Sequence, residues 1–180
     1  TFLLPLIGHS DEGKALRTSE DFRQAYGEAR AFGKALAKRG KGSGFMKNLI
    51  EQRICSSIHA GLSTARRLLE GGTVHEGDEE QEDDVRLETG EEREVLQHLI
   101  ARLERLEADP KMEAVVHFLD KEQWRDLGVI IFSQYYDTAK WLADALAARY
   151  PEEAVGLYAG AGRSRLYQCG DSVSVERETL

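Results

Sequence analysis

Ser133, Gln134, Tyr135 and Tyr136 form a polar cluster directly after the apolar run Val129-Ile130-Ile131-Phe132, and Asp137 stands at the start of a helix-forming stretch. Four bulky residues bounded by Gly128 and Ser133 predict a strand buried on both faces, with Phe132 in the core. A polar loop at the carboxyl end of such a strand, leading into a helix, is where open α/β proteins build ligand sites. Arg163, Ser164 and Arg165 form a second cluster. Two cations beside a small hydroxyl residue suit phosphate oxygens, and they suit a solvated turn equally well.

Other chemistries find no residues to carry them. No Gly-x-Ser-x-Gly elbow surrounds Ser56 and Ser57, so these serines read as a helix break or cap rather than as nucleophiles. His9, His59, His75, His98 and His117 are scattered, and Cys55 and Cys169 form no Cys-x-x-Cys pair, so no metal site is expected. In Gly40-Lys41-Gly42-Ser43-Gly44 the lysine precedes the glycines and no apolar strand leads in, so the stretch reads as a flexible hinge rather than a phosphate loop. No catalytic residue, metal ligand or cofactor site is therefore assigned within these residues.

The elements that must position the clusters are mainly helical. Phe22, Ala25, Tyr26, Ala29, Phe32 and Leu36 recur at helical spacing behind a capping start near Ser19 or Asp21, and Gly27 and Gly33 weaken the helix's continuity. Phe45 to Glu70 reads as a second helical region closed by Gly71-Gly72. Glu91 to Ala108 reads as a third, with the stripe Val95, Leu96, Leu99, Ile100, Leu103 and Leu106. Asp109 caps a further helix that has Pro110 at its first position. Beyond the Val129–Phe132 strand, Asp137 or Ser133 is expected to cap a helix carrying Ala139, Leu142, Ala143 and Leu146, which Pro151 stops. Ala154 to Tyr158 then makes a second strand, and together these predict a right-handed βαβ unit.

The net charge of −8 weighs against nucleic-acid binding, but it is unevenly placed. Between Glu76 and Glu94, eleven carboxylates meet only Arg86 and Arg93, which exceeds the deficit of the whole chain. Residues 73–92 have almost no apolar content and read as an acidic flexible linker. The longest apolar run, Phe2 to Ile7, is too short to cross a membrane. With unpaired cysteines, a cytoplasmic protein without membrane contact is expected.

Four pieces carry a family resemblance. Ile130-Ile131-Phe132-Ser133-Gln134-Tyr135 resembles motif IV of superfamily 2 helicases, above all of the Swi/Snf-like bacterial branch. Asp109-Pro110-Lys111 is similar to that branch's upstream Asp-x-Lys helix start. The segment from Arg53 through Ser56 and Ser57 to Ala60 resembles the one its members carry between two motor domains, and Glu176-Arg177 resembles an acidic-Arg helix start downstream. The order and spacing of the four agree over roughly residues 45 to 70 and 109 to 180.

The resemblance implies an α/β chain: a helical inter-motor segment over 1–72, the acidic linker over 73–92, and over 93–180 helices leading into a truncated RecA-like βαβ unit with parallel strands. It implies nucleic-acid contacts at Ser133, Gln134, Tyr135 and Arg53, to which the cation cluster adds Arg163 and Ser164 as candidates, inter-domain roles for Ser56, Ser57 and Arg177, and ATP with magnesium in a parent motor. No Gly-x-x-x-x-Gly-Lys-Ser/Thr loop, Asp-Glu magnesium motif or late arginine motif is present. With no initiator Met and a helix expected to start at Ser174, the expectation is a segment of a longer DNA helicase or translocase that does not itself hydrolyse ATP. Self-association through an exposed sheet edge is expected as well. The alternative is a non-catalytic helical interaction module that uses the Val95–Leu106 stripe and the early helix.

Overall fold

Residues 19–38, 43–72, 87–160 and 162–176 are described by the computed structural model, with the backbone alone over 43–48. The Ser19 hydroxyl accepts from Phe22 N at 3.1 Å and starts α1, Glu20–Ala37, whose buried stripe is Ala25, Ala29, Phe32 and Leu36. The expected second helix is two, α2 over Ser43–Ser56 and α3 over Ile58–Leu69. Ser57 is extended between them (φ −160°, ψ 155°), and its hydroxyl caps α3 by accepting from Ala60 N at 3.0 Å. The two helices pack so closely after this break that a Cβ on Gly61 would sit 2.5 Å from the Ile54 side chain. Gly71, at φ +80°, lets the chain close α3, with Gly71 N donating to Leu68 O and Gly72 N to Arg67 O; this is the paired bonding of a Schellman cap.

A full capping box starts α4, Gly90–Leu103. Thr89 accepts from Glu92 N, and the buried Glu92 carboxylate accepts in return from Thr89 N. Leu96, Leu99, Ile100 and Leu103 face inward and join Phe32, Leu36, Leu49, Ile50, Ile54 and Leu68 in one apolar core. The Val95–Leu106 stripe is thus largely committed to the protein's own interior. α5, Pro110–Asp120, carries the expected Asp109 cap and first-turn proline. A 3₁₀ turn, Trp124–Leu127, then leads through Gly128 at φ +74° into the apolar run.

That run overturns the expected architecture. Val129–Phe132 is not a strand, Ile130 and Phe132 are 81% and 91% exposed, and Phe132 is not a core residue. Beyond it lie α6, Tyr136–Arg149, and three short strands, β1 Val155–Leu157, β2 Arg165–Gln168 and β3 Asp171–Ser174. They form an antiparallel meander in the order β1-β2-β3, so among the described residues there is no parallel pair and no RecA-like βαβ unit. The physical reason is local closure. β1 meets β2 across a short loop, and β2 meets β3 across Cys169-Gly170, both at positive φ as a two-residue mirror-image hairpin requires. Parallel pairing of Val129–Phe132 with β1 would have to be closed around the whole of α6. Ser174 ends the strand Asp171–Ser174 rather than starting the expected helix, and residues 177–180 lie outside the described residues.

α6 packs on β1 and β2 and makes a second, smaller core of Ala143, Leu157 and Tyr167. Tyr167 donates to Asp144 at 2.7 Å, and its burial together with that bond pushes its hydroxyl pKa up to about 12. Hydrogen bonds from Lys140 and Tyr167 outweigh the desolvation of Asp144 and hold its carboxyl below its usual range. Among the described residues, no helix is long and apolar enough to cross a membrane.

Candidate functional site

The residues singled out from the sequence fall mostly on one seam, where the α2–α3 break meets the start of α6. Arg53 is 6% exposed; its guanidinium lies 4.1 Å from the centre of the Tyr135 ring, and Nη1 donates to Asp137 Oδ2 at 3.3 Å. The Tyr135 ring is buried and its hydroxyl donates to Gln52 Oε1 at 3.0 Å. A guanidinium stacked on a ring and paired with a carboxylate is fixed in direction as well as charge.

Ser56 and Ser57 converge on one hydroxyl, that of Thr138, at 2.8 and 2.9 Å. Asp109 completes the arrangement by capping twice. Oδ1 accepts from Lys111 N at 2.9 Å, and Oδ2 accepts from Ile58 N, the first residue of α3, at 2.8 Å. His59 and Trp141 stack across the same seam with ring centres 6.0 Å apart.

Beside the seam a groove of about 430 Å³ opens between α2, α5 and α6. Gln52, Cys55, Ser56, Lys111, Gln134 and Thr138 supply its polar lining; Met112, Val115, Phe132, Trp141 and Leu142 supply apolar wall. Ser133 turns back into its own loop, accepting from Tyr135 N at 3.3 Å and donating to Tyr135 O at 3.0 Å. The α6 N-cap is Tyr135, without a side-chain cap, so neither Ser133 nor Asp137 plays the expected capping role; Asp137 faces Arg53 instead. Gln134 is exposed at the rim. Desolvation pushes the Cys55 thiol pKa up, which leaves it a weak nucleophile.

The Arg163 cluster stands apart from this groove. Arg163 lies 4.3 Å over the Tyr136 ring, Ser164 is fully buried and donates to Ala159 O while accepting from Ala159 N, and Arg165 belongs to β2. Ser164 is therefore a structural clasp of the β1–β2 loop. Arg177, most of the acidic linker, and Gly40-Lys41-Gly42 lie outside the described residues, while Ser43 and Gly44 begin α2.

The groove does not fit a nucleotide with magnesium. Among the described residues, Lys111 is its one lysine, no carboxylate lines it, and no group of three His, Cys, Asp or Glu could hold a metal ion. Sequence reasoning missed Gln52, Thr138 and the double role of Asp109. No local pattern marks Gln52 or Thr138, because their partners are more than 80 residues away in the chain. Compared with protein-family models, with curated proteins and with solved structures, the chain matches none.

Proposed function

We propose that this chain supplies inter-domain and nucleic-acid contacts to an ATP-dependent DNA translocase or helicase of the Swi/Snf-like bacterial type, in the cytoplasm, with ATP and magnesium held elsewhere in the motor. One observation supports this reading best. Three pieces of the resemblance, Arg53–Ala60, Asp109–Lys111 and Ile130–Tyr135, are far apart in sequence yet bonded into one seam beside one groove. Gln134 and Lys111 at the groove would contact the sugar-phosphate backbone, which positions a nucleic acid without reading its bases.

The competing interaction module loses its main element, since Leu96, Leu99 and Leu103 are buried in the core that α4 forms with α1 and α3. The exposed run Leu127 to Phe132 supports a further partner, a second copy of the chain, because large apolar side chains in water favour association.

The test is fluorescence anisotropy with labelled duplex DNA at low salt, using the whole chain. Weak binding is expected, with log K falling by about 0.9 per decade of salt for each phosphate neutralised. Lys111→Ala should weaken binding and flatten that slope, and no DNA-stimulated ATP hydrolysis should be seen. Absence of binding at low salt, or turnover by the chain itself, overturns the reading. Sedimentation at tens of micromolar should show dimers that Ile130→Lys removes; a clean monomer refutes the second partner.

A further inference from the structure

Seven polar or charged residues are buried among those described, and four of them, Arg53, Ser57, Asp109 and Thr138, lie on the single seam between the two apolar cores. The seam's contacts include hydrogen bonds, an ion pair and ring stacking: Arg53 with Asp137 and Tyr135, Ser56 and Ser57 with Thr138, Asp109 with Ile58 N, His59 with Trp141. From α4 onward, the chain crosses from the helical core to the sheet unit once, through residues 104–109.

We propose that this seam is a joint: the unit of α5, α6 and the sheet swings as a body on residues 104–109 while both cores stay folded. The physical basis is the difference between apolar and polar interfaces. Separating two apolar faces exposes surface that water cannot compensate, whereas hydroxyls, a guanidinium and carboxylates recover their hydrogen bonds from water once parted. Polar contacts between units within one chain are accordingly the ones that open first.

The groove straddles the joint, with Gln52, Cys55 and Ser56 on one side and Lys111, Gln134, Thr138 and Trp141 on the other. Opening the joint widens the groove and moves Gln134 and Lys111 away from Gln52. The device thus couples the groove's width to the Arg53–Asp137 and Ser57–Thr138 contacts. It holds whether or not the groove receives nucleic acid, because it is measured with none present.

The test is native-state hydrogen exchange on the whole chain at low urea. The Ile58 amide, bonded across the seam, should exchange at least about tenfold faster than those of Leu99, Ile100 and Leu103, with a weaker urea dependence. Thr138→Val removes the hydroxyl that two serines share while keeping its shape. It should accelerate Ile58 about tenfold further and leave the Leu99–Leu103 and Leu146 amides unchanged. Ser56→Ala, at a half-buried site, should act in the same direction by a smaller factor and serves if Thr138→Val does not fold. Equal rates and equal urea dependence at Ile58 and Leu99 in the unaltered chain overturn the proposal, as does uniform acceleration of all amides by either variant.

Discussion

The helical core and the sheet unit are held together by different physics, although each carries residues of the candidate site. The first buries six leucines, four isoleucines and Phe32 in one contiguous cluster. The second relies on Ala143, Leu157 and Tyr167, with β3 exposed along its whole length. At about 1.5–3 kcal/mol for each large side chain removed from water, the first supplies most of the hydrophobic driving force. The second has little of its own, and hydrogen bonds shape it instead: Tyr167 to Asp144, and Ser164 within its loop. The difference teaches that rigidity and a working surface are divided between the two, with the groove placed where they meet.

The comparison breaks most readily at Phe32. Phe32→Ala should cost about 3–5 kcal/mol through transfer and cavity terms, and urea denaturation followed by far-ultraviolet circular dichroism should show the whole helical signal lost earlier. A cost under about 1 kcal/mol would mean that the apolar cluster does not carry the fold. Asp109→Ala should rank next, at about 1–3 kcal/mol, because it uncaps α5 and leaves Ile58 N–H buried without its acceptor. Asp109→Asn, which keeps one acceptor, should recover part of that loss.

The smallest effect is expected at Tyr167, and mainly in alkali. Its folded pKa is raised to about 12, so the folded state holds a proton that the unfolded state releases near pH 10. The associated stability is complete below pH 10 and declines as pH rises toward about 12. Tyr167→Phe should flatten the alkaline limb of a stability-versus-pH profile measured by denaturation, and make the acid limb slightly shallower because the Asp144 carboxyl loses one of the bonds that hold it low. An unaltered alkaline limb would show that the bond to Asp144 does not form in solution.

Short-range rules were legible in the sequence and long-range pairing was not. Ser19, Asp109 with Pro110, and Gly71-Gly72 act where their side-chain chemistry put them, because a cap is decided within three or four residues. Leu96, Leu99 and Leu103 face the core because helical spacing determines which residues share a face. Val129–Phe132 failed as a strand because apolar composition states what a segment would gain by burial, not which segment lies beside it. The Cys169-Gly170 turn was readable in principle from a residue-glycine pair between two short runs with strand character, and the helix reading at Ser174 hid it. Within the site, Arg53, Ser56, Ser57 and Tyr135 were singled out and do converge, while Thr138, the hydroxyl that gathers two of them, carried no mark of its own.

Gly61 governs the geometry upstream of all this by what it lacks. The 2.5 Å left for a Cβ against Ile54 means that the separation of α2 and α3 is set by an absent atom. Arg53 is the residue before Ile54, so any side chain at position 61 that forces the helices apart also shifts the guanidinium relative to Tyr135. Position 61 is therefore a constraint on sequence drift. In a saturation library scored for folded protein it should admit glycine alone, whereas the exposed Arg66 and Arg67 one to two turns along the same helix should accept nearly every polar residue.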